Sequence, residues 1–149
     1  MTGPGDPLLE ELRIRRVIEG YCAALDAGAV DEVLQLFDDE CSFAMMGRTY
    51  RGRDELASAW EQVTGTDRPT TLHALVNPVI TVDGPHATAV SGWVLVDRSG
   101  DDGRAAIALA GRYHDVLRRG NDGRWRFTDR RVQTLARPSS TWSATGSES

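Results

Sequence analysis

The sequence predicts an α+β domain with helices on one side of an antiparallel sheet, and three observations carry that prediction. Apolar residues recur mostly at steps of three and four in three stretches, Leu8–Leu25, Val30–Phe37 and Leu56–Val63, β-branched or alternating segments follow from Thr70 onward, and glycine-rich turn signals separate those segments. The first helix opens at Asp6-Pro7, an N-cap followed by proline, with Glu10 and Glu11 near the positive end of the helix dipole. Leu8, Leu12, Ile14, Val17, Ile18, Tyr21 and Leu25 form its apolar stripe, and Asp26-Ala27-Gly28 its end. A second, short helix is expected from Ala29 to Phe37 on Val30, Val33, Leu34 and Phe37, closed by the acidic cluster Asp38-Asp39-Glu40. Cys41 to Met46 reads as a strand, Gly47-Arg48 as a turn and Thr49-Tyr50 as a returning stub. The third helix starts near Gly52, carries Leu56, Trp60 and Val63, and stops at Gly65-Thr66-Asp67.

Everything after that reads as strand. Thr70 to Asp83 is interrupted at Asn77-Pro78, where proline implies an edge or a bulge. Ala87 to Asp97 comes next, and Ala105 to Arg119 pairs with Arg124 to Leu135 across Gly120-Asn121-Asp122-Gly123. Such a sheet twists, and a bulge bends it further, so helices closing over it leave a concave, mostly apolar pocket. The polar stretch 138–149 is expected to be a disordered tail, with Trp142 its one candidate for docking.

Composition narrows the function classes. A chain of 149 residues is one ordinary domain, and its net charge of −5 conceals the fact that all 17 basic residues are arginine. Without lysine, Schiff-base chemistry, a Walker-type phosphate grip and a lysine general base are excluded. Cys22 and Cys41 form no metal or redox spacing and read as small buried hydrophobes in a reducing compartment. With no apolar run long enough for a membrane span and no leader-like start, a cytoplasmic location is expected. From Gly111 to Arg137 eight arginines face Asp115, Asp122 and Asp129. The acidic total argues against nucleic acid as a partner, so this stretch reads as a solvated or subunit-facing sheet surface. An open antiparallel sheet has a face to cover, which makes a homo-oligomer, dimer or trimer, the expectation.

The residues that could carry chemistry are few. His73 lies among apolar neighbours on a strand, and Asp26 lies where the chain turns out of the first helix. A carboxylate bound to one imidazole nitrogen fixes the tautomer, leaves the other nitrogen as a base and stabilises the imidazolium. An unperturbed histidine, with a pKa of about 6.5, suits proton transfer near neutrality. A five-residue helical step turns about 500°, so Tyr21 and Asp26 share a pocket only if the helix ends before Asp26. Counting from the hairpin turn puts His114 opposite Asp129 and Val116 opposite Phe127. Arg112, His114 and Val116 would then share a face with Phe127, Asp129 and Arg131, lining either the pocket or an exposed surface. His86, after Gly84-Pro85, reads as solvent-exposed. The three histidines are separated by 13 and 28 residues, which gives no metal-ligand spacing, and no metal is expected. Trp60, Trp93 and Trp125 read as core or pocket wall suited to an aromatic ligand.

These residues in this order resemble the SnoaL-like branch of the nuclear transport factor 2-like superfamily, related to scytalone dehydratase and bile acid 7α-dehydratase. The resemblance rests on Tyr21-x4-Asp26, Leu34-x2-Phe37-x-Asp39, His73-x3-Asn77, Gly111-x-Tyr113-x-Asp115 and Gly123-x-Trp125-x-Phe127-x3-Arg131, and spans residues 7–137 as a single domain. It implies a cone-shaped fold of three N-terminal helices packed on a curved antiparallel sheet, enclosing an apolar cavity without a cofactor. It further implies catalysis by Asp26 and His73, with Tyr21 and a late arginine assisting. Arg131 is the first candidate for that arginine, with Arg130 and Arg137 as alternatives. His114, Asn77, Trp93, Trp60 and Met45 are the expected substrate contacts.

The activity this implies is a cofactor-independent lyase or isomerase of dehydratase or cyclase type, acting on a hydrophobic cyclic or polyketide-like carbonyl compound. The alternative is a non-catalytic ligand-binding module or an oxygenase-associated small subunit of the same fold.

Overall fold

The computed structural model describes residues 5–63, 71–98 and 102–137. The expected helix stop at Gly65-Thr66-Asp67 and the expected tail with Trp142 lie outside them. Three helices and six strands follow in the order α1 (Pro7–Asp26), α2 (Val30–Gln35), β1 (Phe37–Met45), β2 (Arg48–Arg51), α3 (Gly52–Val63), β3 (Thr71–Asp83), β4 (His86–Asp97), β5 (Ala106–Arg119) and β6 (Trp125–Ala136). Asp6 caps α1 as expected, its side chain accepting from the Leu8 N–H at 2.9 Å.

The second helix is shorter than its apolar spacing suggested. Leu36 closes α2, and Phe37, Asp38, Asp39 and Glu40 already belong to β1. Arg53 explains the early exit, because its guanidinium donates from Nε and Nη2 to the Phe37 carbonyl at 2.9 and 2.6 Å. Phe37 and Phe43 are fully buried on one face of β1, while the acidic residues meet solvent and Arg118, which binds Asp38 at 2.8 Å.

The sheet runs β2-β1-β6-β5-β4-β3. It is not purely antiparallel: β1 enters beside β6 in parallel, joined by α3 and the whole β3–β6 meander. A parallel neighbour needs such a long crossover, and local turn chemistry in the sequence carries no trace of it. β3 is an edge strand with a bulge at Asn77-Pro78, where Asn77 takes a φ of +47° and the register slips between Val76 and Val79. Proline at an edge bulge is the arrangement its missing N–H permits.

The hairpin register differs from the count. Arg119 faces Trp125 and Leu117 faces Phe127, then a bulge shifts the pairing so that Val116 meets Asp129, Asp115 meets Arg130 and His114 meets Arg131. The connecting loop is one residue longer than the count assumed, spanning 120–124, and a bulge on β6 adds a second one-residue slip after Phe127, which exchanges the two faces of that strand. Trp125, Phe127 and Arg130 therefore all point inward, and Arg131 outward.

The buried Arg130 is the consequence. Its Nε and Nη2 donate to the two Asp115 carboxylate oxygens at 2.7 and 2.9 Å, with both side chains fully inaccessible. Its guanidinium lies 4.1, 4.0 and 4.2 Å from the ring centres of Tyr21, Tyr113 and Phe127. Burial pulls the Arg130 pKa down, but the Asp115 carboxylate outweighs it and holds the value above the ordinary one, so the charge persists. Further rings, among them Phe37, Phe43 and Trp60, continue this aromatic core edge-to-face.

A second carboxylate ties α1 to the hairpin. Glu10, 2% exposed, accepts from Trp125 Nε1 at 2.5 Å and pairs with Arg13 at 2.7 Å and Arg119 at 3.3 Å. Burial alone would raise its pKa, but the Trp125 N–H and the charges of Arg119 and Arg13 together lower it.

Two stability experiments follow. Replacing Asp115 by Ala strands a buried guanidinium, and urea denaturation is expected to register a loss of about 3–5 kcal/mol. The paired replacement Asp115→Leu with Arg130→Met should recover most of it. Because the folded-state pKa of Glu10 lies below its unfolded value, its contribution is complete above about pH 4.3 and fades as acid protonates the folded form. Glu10→Gln should therefore melt below wild type at pH 7, with the gap closing as the pH falls below 4.

Candidate functional site

Asp26 and His73 meet. Asp26 is the last residue of α1, and His73 lies near the start of the edge strand β3. His73 pairs with Leu95 of β4 on one side. Its own backbone N–H points the other way, off the sheet edge, and donates to Asp26 Oδ1 and Oδ2 at 3.1 and 2.9 Å. The imidazole completes the clasp, with Nδ1 2.6 Å from Asp26 Oδ1. One carboxylate thus satisfies an edge-strand donor and orients the ring. A carboxylate can only accept, so Nδ1 carries the proton in this contact and Nε2 is left as the acceptor. Both side chains retain 17% exposure, which leaves the pair reachable.

The surroundings are graded. Ala87, Ala89, Leu117, Trp125 and Phe127 are fully buried on the inward face toward one end of the sheet. Toward the end that holds His73, Leu75, Leu95, Leu109, Val132 and Met45 pack on the same core but are only partly buried. An apolar surface open on one side, with an imidazole at its rim, is the form a site for a hydrophobic ligand takes.

The other expected residues are distributed as follows. Tyr21 is 1% exposed and points into the Arg130 cluster; α1 stays helical through Asp26, so the two side chains diverge and no hydrogen bond joins them. Burial raises the Tyr21 hydroxyl far above its ordinary pKa, so it remains a proton donor. Trp93 and Trp60 are buried, Trp93 stacked on Tyr113 at 5.8 Å and Trp60 edge-on to Phe43 at 5.5 Å. Met45 is at the partly buried end of β1. Asn77 is exposed at the β3 bulge, away from the inward row. His114 lies on the outer face, 3.0 Å from Gln133 Oε1. Arg131, opposite it, is exposed there too. The late arginine that enters the interior is Arg130, because the bulge reverses the alternation. His86 is exposed, as expected.

Gly111 is a residue whose role sequence reasoning did not supply. A Cβ there would stand 1.9 Å from the Gln133 carbonyl oxygen and 2.9 Å from Trp93 Cζ2, so only glycine lets the indole lie across the strand. Cys22 is buried, which pushes its thiol up to about 11 and leaves it inert. Among the described residues no group of His, Cys, Asp and Glu side chains is arranged to hold a metal ion, and no helix is long and apolar enough to cross a membrane. A separate open groove of about 450 Å³ lies between α1, α2 and the β5–β6 turn, lined by Arg13, Arg16, Leu36, Arg124 and Trp125 among others. It contains neither Asp26 nor His73, and Glu32 is the carboxylate among its lining residues.

The clasp is open to a direct reading. In wild type the His73 ring is expected as the Nδ1–H tautomer in long-range proton–nitrogen NMR spectra at pH 8. Asp26→Ala should shift it toward the Nε2–H tautomer. An unchanged spectrum would mean that the carboxylate does not orient the ring in solution.

A scan against protein families matches the SnoaL-like domain over residues 6–131. Among solved structures, a protein of unknown function from Mycobacterium tuberculosis superposes with a TM-score of 0.79 at 27% identity, covering 89% of this chain and 76% of that one. A candidate scytalone dehydratase from Novosphingobium aromaticivorans superposes at 0.75 with 27% identity, covering 87% of this chain and 86% of that one. The beta subunit of a candidate aromatic-ring-hydroxylating dioxygenase from the same organism gives 0.74 at 20% identity over 91% and 95% of the two chains, a likeness of fold alone. A search of curated proteins found no match.

Proposed function

The chain belongs to the SnoaL-like domain family, and from that premise we propose that it is a cofactor-independent lyase or isomerase of the dehydratase or cyclase type. Its substrate is a hydrophobic cyclic compound bearing a carbonyl. The observation that carries this reading is the Asp26–His73 clasp, with the 2.6 Å contact at Nδ1, at the rim of the partly buried apolar surface.

In this reading His73 Nε2 takes a proton from the carbon next to the carbonyl, and its electron pair moves onto the carbonyl oxygen as an enolate. Asp26 holds the Nδ1 proton throughout and stabilises the imidazolium. Tyr21, which diverges from Asp26 into the buried Arg130 cluster, does not reach the reacting atoms and serves to position α1. Arg130 replaces Arg131 in the supporting role, lying against the Tyr21 ring rather than reaching the substrate itself. Where the substrate carries a β-hydroxyl, the enolate re-forms the carbonyl, the C–O bond breaks and the Nε2 proton leaves with the hydroxyl as water. Without that leaving group, return of the proton to a different carbon moves a double bond.

A second reading, a non-catalytic ligand-binding or oxygenase-associated module, draws on the tight packing of Tyr21, Phe43, Trp60 and Trp93 in the interior. The two readings separate on enolisation. Exchange of the α-protons of 2-tetralone in D2O, followed by NMR, is expected to run faster with wild type than with buffer. It should fall by roughly 10²–10⁴-fold in His73→Gln, the range that general acid–base groups supply. Equal rates in the two proteins would remove the histidine from the chemistry and leave the binding module.

A further inference from the structure

The open groove between α1, α2 and the β5–β6 turn has a volume of about 450 Å³, within the range of small-molecule clefts. Its three walls are tied to one another. The buried Glu10 carboxylate of α1 accepts from Trp125 Nε1 of β6. The Phe127 N–H donates to the carbonyl of Leu36, which closes α2, at 2.9 Å, and the Ala29 N–H reaches back to the Ala24 carbonyl of α1, also at 2.9 Å. The groove is therefore pre-formed. A ligand entering it has no wall to order, which removes one of the costs that binding carries.

The lining combines two chemistries. Val17, Leu36 and the Trp125 indole supply apolar surface that packs on the core. Arg13 and Arg16 from α1, and Arg124 and Arg126 from the turn, line the same groove against the carboxylate of Glu32. Two of these guanidinium groups are already answered, Arg13 by Glu10 at 2.7 Å and Arg126 by Asp122 at 3.0 and 2.7 Å. Asp122 also accepts from the Arg124 backbone N–H, but among the described residues no carboxylate stands within ion-pair distance of the Arg16 or Arg124 guanidinium. In a chain of net charge −5, this local excess of cations runs against the composition of the whole. A cleft lined by one sign of charge over apolar walls concentrates ions of the other sign.

A guanidinium presents a planar fork of donors that fits the oxygens of a carboxylate or a phosphate. An indole beside two aliphatic side chains favours an apolar body. We propose that this groove binds an amphipathic organic anion, a carboxylate or phosphate carried on an aromatic or aliphatic body. Arg16 and Arg124 take the head, and Val17, Leu36 and Trp125 take the body. Neither Asp26 nor His73 lines the groove, and Arg16 stands roughly 15 Å from Asp26 along the axis of α1, so this site is additional to the acid–base site and does not rest on that reading. Trp125 and Arg13 both bind Glu10, so the ligand lies against the contact that ties α1 to the hairpin.

Calorimetric titration tests this with 2-naphthoate and 2-naphthyl phosphate, which carry the two heads, and 2-naphthamide, which keeps the ring without the charge. Wild type should bind at least one of the anions roughly tenfold more tightly than the amide, the scale of one charge-assisted hydrogen bond. Arg16→Gln and Arg124→Gln should each narrow that preference roughly threefold, as suits solvent-exposed charges, and the double variant should remove it. Affinity for the amide should stay unchanged in all three, which also reports that they fold. Added salt should weaken the anions and spare the amide. His73→Gln should retain the preference, so that failure of the acid–base chemistry leaves this site standing. The proposal is overturned if neither anion binds wild type more tightly than the amide, or if the preference survives in the double arginine variant. It is equally overturned if the preference vanishes in His73→Gln, which would place the anion at the histidine.

Discussion

The bidentate pairing of Arg130 with Asp115 is the constraint on which the remaining geometry depends. A charged pair with no solvent access is stable only if every face of the guanidinium is covered and its carboxylate is held in plane. Tyr113 and Phe127 cover it from the sheet, and Tyr21 covers it from α1. That last contact fixes the rotation and height of α1 on the sheet. Five residues on, the helix ends, and its terminal carboxylate arrives at the exposed edge of β3. Displacement of Tyr21 would thus move Asp26, although neither Arg130 nor Asp115 touches the imidazole.

Much of this was legible in the sequence, and what was not has one physical origin. The start of α1, the third helix, the edge bulge at Asn77-Pro78 and the four long strands each announce themselves through local chemistry: a cap, a period, a proline, a turn. The Asp26–His73 meeting was an expectation carried by resemblance and by the chemistry of the two groups. Arg130 against Arg131 was not legible, because strand alternation is counted from a turn and a single bulged residue inverts the answer. The same inversion takes Phe127 off the outer face shared by Val116 and Asp129. The parallel entry of β1 beside β6 was hidden for a related reason: it is set by a crossover spanning most of the chain. The early end of α2 depends on Arg53, sixteen residues after the carbonyl it holds.

The interior also shows how one surface serves both packing and binding. Along the inward face, side chains pass from fully buried near Phe127 to half-covered near Leu95 and Leu109. The closed end supplies stability through aromatic contacts. The open end leaves apolar area exposed, which costs folding free energy and persists where a ligand or a partner covers it. His73 stands at that end, whereas the arginine-lined groove between α1 and α2 lies apart from it and contains neither His73 nor Asp26.

Asp26 is itself a departure from the local rules. An anionic side chain at a helix C-terminus meets the negative end of the helix dipole, an arrangement unfavourable by about 0.3–1 kcal/mol, and the last turn of α1 contains no basic residue to offset it. Gly28, two residues on, turns the chain in the left-handed region at a φ of +67° but brings no charge. Here the offset comes from β3, whose edge N–H and imidazole both donate to the carboxylate. Asparagine would accept the same backbone bond at lower electrostatic cost, so the cap alone does not explain the charge. What a neutral amide cannot do is stabilise a positive charge on the ring as it takes up a proton. In the proposed reaction, that stabilisation is the part the Asp26 charge plays, against the preference of its own helix.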